Sequence, residues 1–130
     1  MIVVDASAVV EFLLDRPGLS RLSHRLLGDR SWHAPHLLDL EATQALRRWV
    51  RMERVSVEKG RIALDLLSRI PLTRWPHLLF LPRVWRWRER FSAYDASYIA
   101  LAEVMGVALV TCDGRLAVAS SHGVEVEVFP

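Results

Sequence analysis

The chain has 130 residues, of which 52% are hydrophobic and 25% charged, so it can form one domain with a buried core and is not intrinsically disordered. The formal net charge is +2, and the single cysteine, Cys112, excludes an internal disulfide and a cysteine-rich zinc site. The absence of a membrane-length apolar run and of a basic signal-peptide segment predicts a single cytoplasmic domain over residues 1–130.

The first half of the chain is predicted to contain one strand followed by helices. A short β-branched run predicts the strand at Ile2–Val4. Four helical patterns follow it, at Ala6–Leu14, Leu19–Leu27, Pro35 to about Glu53, and Ser56–Ile70. Pro17-Gly18 separates the first two patterns, and Ser56 is the expected N-cap of the fourth.

A short strand at Leu72–Trp75 is predicted next, because Pro71 and Pro76 bracket it. The structure of Leu78–Phe91 stays open, since Pro82 lies inside an otherwise helical pattern.

The last third of the chain combines strands and helices. A helix at Tyr94–Met105 starts after Ser92 and ends at Gly106. A strand at Val107–Val110 and a short helix at Leu116–Ser120 follow it. The chain closes with an edge strand in which Val124, Val126 and Val128 alternate with Glu125 and Glu127, so that one face lies in water. The order of elements predicts an α/β fold with a mainly parallel sheet.

The basic residues are unusual, because sixteen of the 17 are arginine and only Lys59 is lysine. Arginine pairs bidentately with phosphate, so an arginine-rich surface suits nucleic acid, although a genomic base bias and solvated helix faces give the same pattern. Two basic clusters are visible, the first at Arg47, Arg48, Arg51, Arg54, Lys59 and Arg61, and the second at Arg83, Arg86, Arg88 and Arg90, interleaved with Trp85 and Trp87. The second cluster could stack bases or form a protein interface, and the preceding apolar run at Leu78–Leu81 favours the interface.

Four carboxylates lie near the ends of predicted strands and helices, at positions from which all four could face the same crevice. Asp5 directly follows the first strand, and Asp113 comes shortly after the strand at Val107–Val110. Asp95 lies in the first turn of the helix that leads to this strand, and Glu41 lies one turn into the long helix. In an open parallel sheet, ligands bind beyond the carboxyl ends of the strands, so these four side chains are the candidate site.

Each acid also has a purely structural explanation. Asp5 could cap the helix that starts at Ala6, and Ser92–Asp95 fits a capping box. Asp113 could be a turn residue, and Glu41 a solvated helix residue. Taken together, however, clustered carboxylates repel one another unless a cation is present, and Mg²⁺ or Mn²⁺ suits an all-oxygen ligand set.

The charge balance outside these four acids supports a nuclease. Without them, 17 basic and 11 acidic residues remain, a balance of +6. A basic shell binds phosphates, and an acidic pocket binds metal, which activates water and stabilises the charge that develops at phosphorus. Two other interpretations stay open: a binding module without catalysis, and a small-molecule phosphohydrolase, for which Ser7 replaces an expected second aspartate.

Several further residues are interpreted as structural. His33 and His36 flank the start of the long helix, where a histidine is usually structural rather than in contact with substrate. Tyr94 and Tyr98 are one helical turn apart and are assigned to the core or its rim. Cys112 follows a buried strand, and nothing supports its action as a nucleophile.

Four segments cover nearly the whole chain and occur in the order and spacing of one known family: Val3–Val10, His33–Glu41, Ala93–Ala102 and Leu109–Leu116. They resemble the PIN domain family, and most of all the VapC-type toxins of bacterial toxin–antitoxin pairs. The Tyr-Asp-Ala block at Asp95 and the Thr-x-Asp block at Asp113 are the most specific parts of the resemblance, whereas Asp-Ala-Ser alone at Asp5 is weak.

The resemblance implies a PIN-like three-layer α/β/α fold with a Mg²⁺- or Mn²⁺-dependent endoribonuclease site. Asp5 and Asp95 would be the firmest metal ligands, and Glu41 and Asp113 would complete the catalytic set directly or through water. A second shell would consist of the hydroxyl groups that hydrogen-bond the carboxylates, at Ser7 and Thr111.

The resemblance also implies partners. The substrate would be a structured RNA, often tRNA or rRNA in this family, and the chain would form a homodimer inhibited by a VapB-like antitoxin. The alternative is a catalytically inactive PIN-fold module that binds RNA or a protein. The chain departs from some PIN nucleases after Asp113, where Gly114, Arg115 and Leu116 replace a further acid, so a second metal position is left open.

Overall fold

The computed structural model describes residues 1–15 and 20–130. Their strands are β1 (Ile2–Val4), β2 (Trp32–Pro35), β3 (Leu72–Trp75), β4 (Ala108–Thr111) and β5 (Val126–Val128). Their α-helices are α1 (Ala6–Leu14), α2 (Ser20–Leu27), α3 (Leu37–Arg51), α4 (Val57–Arg69), α5 (Leu81–Arg86) and α6 (Ala93–Met105), and 3₁₀-helices cover His77–Phe80 and Gly114–His122. The predicted break at Pro17-Gly18 and the predicted helix start at Leu19 lie outside the described residues.

The strands form one sheet in the order β3-β2-β1-β4-β5, and every neighbouring pair is parallel. The central strand β1 pairs with β2 through Ile2 and Trp32, and with β4 through Ile2 and Ala108. Successive side chains of a strand point to opposite faces. Because Ile2, Val3 and Val4 are all fully buried, both faces of the sheet must be covered. The predicted parallel sheet flanked by helices is therefore confirmed.

Side-chain caps set the starts of the helices that matter for the site. Asp5 accepts a hydrogen bond from the backbone N–H of Ala8 at the start of α1. Ser56 and Ser92 cap α4 and α6 in the same way, as the sequence predicts. At its other end α6 stops at Gly106, whose φ of 67° is left-handed and favours glycine. No helix in the described part of the chain is both long and apolar enough to cross a membrane.

Strand β2 was not expected from the sequence, which placed the start of a helix at Pro35. The helix α3 begins only at Leu37, and residues 32–35 pair with strands on both sides. Pro35 is tolerated because it is the last residue of the strand, and the next N–H, of His36, donates to the Trp75 carbonyl. The pairing is long-range, so a four-residue pattern that includes proline and histidine gives little sign of it.

The region around Pro82, which the sequence left open, forms a 3₁₀-helix followed by α5. Pro82 lies in the first turn of α5, where its missing N–H costs nothing, so it starts this helix rather than interrupting it. Trp87, just past the end of α5, is only 6% exposed, and its indole N–H donates to Glu103 at 2.7 Å. Trp85, two residues earlier, is 68% exposed. Stacking on a base is therefore open only to Trp85.

The carboxyl-terminal segment differs in detail from its prediction. The short helix expected at Leu116–Ser120 is a longer 3₁₀-helix. Strand β5 lies at the sheet edge as expected, next to β4. All three of its residues are half-buried, and Arg25 of α2 covers Glu127 with a bidentate ion pair of 2.6 and 3.0 Å. The clean alternation of buried and solvated side chains is therefore not observed.

Candidate active site

Asp5 lies where the central strand β1 ends and α1 begins, and it is 6% exposed. One carboxylate oxygen, Oδ1, accepts from the Ser7 hydroxyl at 2.7 Å and from the Ala8 N–H at 3.0 Å. The other, Oδ2, accepts from the Thr111 hydroxyl at 2.6 Å. Hydrogen bonds on both oxygens fix the orientation of this carboxylate at the carboxyl edge of the sheet.

The electrostatic state of Asp5 is unusual. Burial raises the pKa of this carboxyl group to about 6, the hydrogen bonds from Thr111, Ser7 and Ala8 lower it, and the charge of Asp113 adds a smaller increase. Among the described residues, Asp5 has no salt bridge to a basic side chain. The site thus contains a buried carboxylate that no basic side chain of the described residues neutralises.

Ser7 and Thr111 connect two parts of the site as well as holding Asp5. The Ser7 hydroxyl accepts from the Cys112 N–H at 2.9 Å, and the Thr111 hydroxyl accepts from the Asp113 N–H at 2.9 Å. The residues that follow β4 are therefore tied to the residues that follow β1. This network places Asp113 near Asp5, as the parallel arrangement of the two strands requires.

Glu41 of α3 and Asp95 of α6 approach the same region. Burial raises the pKa of Glu41, and the nearby charge of Asp95 raises it further. Tyr98, one turn after Asp95, is buried, and burial together with the charges of Glu41, Asp5 and Asp95 raises the pKa of its phenol well above the usual value. Its hydroxyl lies close to Glu41 but outside hydrogen-bond geometry, and no described residue satisfies it. Three of the acids thus surround one buried hydroxyl.

Asp113 is held by Arg115. Nη2 of Arg115 lies 2.5 Å from Oδ2 of Asp113, and Nε lies 3.1 Å from both carboxylate oxygens. Hydrogen bonds from this guanidinium lower the pKa of Asp113. The same Nη2 is 3.7 Å from Oδ2 of Asp95. Asp113 therefore already has a cationic partner in Arg115, and the same guanidinium also lies near Asp95.

Two observations test whether these residues suit a divalent metal. Carboxylate oxygens are the ligands that Mg²⁺ and Mn²⁺ prefer, and Asp5 is a buried carboxylate that forms no ion pair with a basic side chain of residues 1–15 and 20–130. In residues 1–15 and 20–130, however, no three side chains of aspartate, glutamate, histidine or cysteine converge on one point closely enough to bind an ion as they stand. The oxygen ligands offered by the four carboxylates suit a divalent metal, but their side chains would have to move closer together to coordinate one ion.

The structure brings the four acids singled out in the sequence into one region, and it adds two residues. The sequence assigned Tyr98 to the core or rim and Arg115 only to the position of a missing acid. Spacing could have indicated Tyr98, because it lies three residues after Asp95 and so on the same helix face. His33 is structural as expected: it is buried, and its Nδ1 accepts from the indole N–H of Trp75 at 2.9 Å.

The fold and the site together define a class of protein: an α/β domain with a parallel sheet whose carboxyl edge carries four acids in a chain that is otherwise basic. The model of the PIN domain family matches residues 2–121. The chain belongs to this family, and the resemblance seen in four sequence segments is confirmed.

Individual relatives agree with this assignment. The chain is 42% identical to ribonuclease VapC9 of Mycobacterium tuberculosis over 130 residues, which cover 100% of this chain and 99% of that protein. It is 39% identical to ribonuclease VapC12 of the same organism over 128 residues, 98% of each chain. The crystal structure of PAE2754 from Pyrobaculum aerophilum superposes with a TM-score of 0.71 at 28% identity, covering 96% of this chain and 89% of that one.

Proposed function

We propose that this chain is a Mg²⁺- or Mn²⁺-dependent endoribonuclease and the toxin of a VapBC-like toxin–antitoxin pair. The observation that carries the proposal is the buried Asp5 carboxylate, which forms no ion pair with a described basic side chain and lies near Asp113, while Asp5, Glu41 and Asp95 all act on the neighbouring Tyr98. The similarity over the full chain to proteins named VapC ribonucleases supports RNA as the substrate. A structured RNA such as tRNA or rRNA is the substrate class we propose.

The proposed ligands of the metal are Asp5, Asp95, Glu41 and Asp113. A bound Mg²⁺ or Mn²⁺ supplies an activated water and stabilises negative charge on the reacting phosphate. Ser7 and Thr111 hold Asp5 by both oxygens, so that this ligand keeps one orientation and its charge remains available. The buried Tyr98 lies within the electrostatic reach of Glu41, Asp5 and Asp95.

Exposed arginines supply the attraction for RNA phosphates in this proposal. Helix α3, which carries Glu41 in its second turn, also presents arginines along its exposed surface at Arg47, Arg48 and Arg51. Contacts of this kind are sequence-independent and weaken as salt rises. The arginines would hold the phosphate backbone of the RNA, while the acidic site determines where the RNA strand is cut.

The test is metal-dependent cleavage of total bacterial RNA by purified, antitoxin-free protein. Discrete cleavage is expected with Mn²⁺ or Mg²⁺ and none with a chelator. Asp95→Asn, purified in the same way, should lose cleavage, while Asp65→Asn should retain it, because Asp65 is an exposed residue of α4 that pairs with Arg69. Cleavage that persists in chelator or in Asp95→Asn would contradict the proposal.

A second candidate function is an inactive PIN-fold module that binds RNA or a protein. It is favoured by two observations: Arg115 holds Asp113, and no three potential ligands converge among the described residues. A titration with Mn²⁺ separates the two candidates. A nuclease should melt at a higher temperature with Mn²⁺, because a ligand of the native state stabilises it, whereas an inactive module should show no shift.

The proposed partners are a second copy of the chain and a VapB-like antitoxin. An exposed apolar surface, defined here as Leu78, Leu79, Leu81, Trp85 and Tyr94, supports the homodimer. Leu81 and Tyr94 line one shallow cavity on it. Apolar side chains of this number and size on one surface are typical of an interface.

Leu79→Glu is expected to convert the dimer to a monomer, because it places a charge in the apolar surface. Sedimentation velocity over a range of protein concentrations would measure the change. Val57→Glu is the matched control, since Val57 is equally exposed on α4, outside that surface. A wild-type chain that sediments as a monomer at all concentrations would contradict the homodimer.

A further inference from the structure

Arg115 contacts two of the four proposed metal ligands. Its guanidinium forms a chelate-like pair with both oxygens of Asp113, and it reaches Oδ2 of Asp95 at 3.7 Å. The side chain of Arg115 is 76% exposed, whereas the two carboxylates are about one-quarter exposed. The positive charge therefore lies on the solvent side of the acidic site, across the gap between Asp95 and Asp113.

A divalent cation and this guanidinium would compete. The oxygens of Asp113 already accept N–H groups from Arg115, including its backbone N–H at 3.0 Å to Oδ1. Direct coordination by Asp113 needs the same lone pairs. In addition, two cations a few ångströms apart repel each other, so a bound metal and a guanidinium at its present place disfavour each other.

The pair between Arg115 and Asp113 is local and exposed, like the pair of Arg61 with Glu58 within α4, and it differs from the two bidentate arginine pairs that connect separate elements of the described residues. Arg74 holds Asp39 and Arg25 holds Glu127, and their side chains are only 24% and 30% exposed. Those pairs connect different elements of the fold. Arg115 and Asp113 are two residues apart, so their pair closes no tertiary contact, and exposed pairs of this kind contribute little to stability.

The side chain of Arg115 also has space into which it can move. A cavity of about 270 Å³ borders it, lined by Arg90, Phe91, Ser92, Asp95, Arg115 and Val118. Rotation of the guanidinium towards this cavity would release Asp113 without a change in the backbone, because rotamers of exposed side chains exchange rapidly.

We infer that Arg115 is a built-in counter-cation of the acidic site, which neutralises Asp113 and Asp95 in the metal-free protein and leaves Asp113 when a divalent metal binds. This inference rests on the proposed function, since it requires the same four acids to bind metal. It assigns to Arg115 a regulatory role: the residue lowers the affinity for metal and so raises the metal concentration at which the site fills.

The experiment measures the binding of Mn²⁺ to RNA-free protein by calorimetry. Arg115→Gln is expected to bind Mn²⁺ about tenfold more tightly than the wild type, because a competing positive charge is removed. Arg90→Gln is the matched control: it removes one charge from the same cavity, and in the described residues Arg90 has no ion pair with the four acids. Its affinity should stay within about twofold of the wild type, as expected for an exposed charge without direct contact.

A double-mutant cycle measures the part of the effect that passes through Asp113. In an Asp113→Asn background the bidentate pair is already lost and only the longer contact of Arg115 with Asp95 remains, so Arg115→Gln should tighten the binding of Mn²⁺ clearly less than it does in the wild-type background. Thermal melting of each variant confirms folding, and the exposure of Arg115 makes a folding defect in Arg115→Gln unexpected.

The outcomes separate the inference from the proposal beneath it. If wild-type protein binds Mn²⁺ and Arg115→Gln binds it equally or more weakly, the inference is overturned and the metal site remains. The same holds if Arg90→Gln tightens binding as much as Arg115→Gln. If the folded wild type and both variants bind no Mn²⁺, the metal-dependent function and the inference are both overturned.

Discussion

Asp5→Asn is expected to abolish RNA cleavage while making the metal-free protein more stable. The loss of activity should be at least about 1,000-fold, since a metal ligand set contributes several kcal/mol and each 1.36 kcal/mol is a tenfold change in rate. The gain in stability follows from removing a buried charge. The pKa of Asp5 rises from its usual 3.8 to about 6, which corresponds to about 3 kcal/mol of destabilisation when the group is ionised.

The asparagine keeps most of the local hydrogen bonds. Its amide oxygen can accept from the Ala8 N–H, and its amide nitrogen can donate to the Thr111 hydroxyl. One rearranged hydrogen bond costs about 1 kcal/mol. The net expectation is an increase in the free energy of unfolding of about 1–3 kcal/mol at pH 7.5, measured by urea denaturation in the presence of a chelator.

The dependence on pH identifies the cause. Because folding raises the pKa of Asp5, the folded protein binds this proton more tightly than the unfolded chain does. The contribution of Asp5 to stability is therefore largest below about pH 4, falls as the pH rises to about 6, and stays low above it. The advantage of Asp5→Asn should be small near pH 4 and complete above pH 6.

A matched variant tests this explanation. Asp65→Asn removes an exposed charge of α4, and its effect on unfolding should stay within about 0.5 kcal/mol at both pH values. A sharp loss of stability in metal-free Asp5→Asn would mean that the cap on α1 matters more than the relief of the buried charge. Mn²⁺ should raise the melting temperature of the wild type and not that of Asp5→Asn.

Trp87→Ala is expected to lose about 3–5 kcal/mol of unfolding free energy, the range for removing a large aromatic side chain from a core. Trp87 packs against the rings of Phe91 and His122, with centroid separations of 5.5 and 5.3 Å. Its indole N–H donates to Glu103, and Arg83 lies 3.8 Å from the other carboxylate oxygen of Glu103. The substitution therefore creates a cavity and also removes the hydrogen-bond donor from Glu103.

Trp85→Ala is the control for this prediction, because it removes the same side chain two residues away. Trp85 is exposed and lies 4.9 Å beneath the guanidinium of Arg88, a contact worth at most about 1 kcal/mol. Both variants should be measured by urea denaturation in a Leu79→Glu background, so that subunit association does not contribute to the difference. Equal losses in the two variants would contradict the burial of Trp87.

The α/β class and most of the helices and strands could be predicted from the sequence, because the patterns that indicate them are local. The apolar run at β1, the caps Ser56 and Ser92, and the terminating Gly106 act on their immediate neighbours. Strand β2 was missed because it exists through pairing with β1 and β3, which lie far away in the chain. The difference in exposure between Trp85 and Trp87 could not be predicted either, because it depends on where α5 begins and ends.

The four acids of the candidate site could be predicted from the sequence. The electrostatic interactions among their side chains could not. The positions of the four acids could be inferred from strand ends and helix starts. The pairing of Arg115 with Asp113 depends on side-chain rotamers, and the burial of Tyr98 among three acids depends on how α6 packs against the sheet. The spacing of Asp95 and Tyr98 indicates a shared helix face, but neither the rotamer of Arg115 nor the burial of Tyr98 follows from residue spacing.

The hydrogen bond from Thr111 to Asp5 joins residues that are 106 positions apart. Contacts of such separation form late, because closing a long segment of chain costs entropy before the contact is made. During translation, the ribosome must therefore release the chain through β4 before Asp5 acquires its partner. A nascent chain carries all its early acids but no assembled site, so the proposed nuclease would stay inactive during most of its own synthesis.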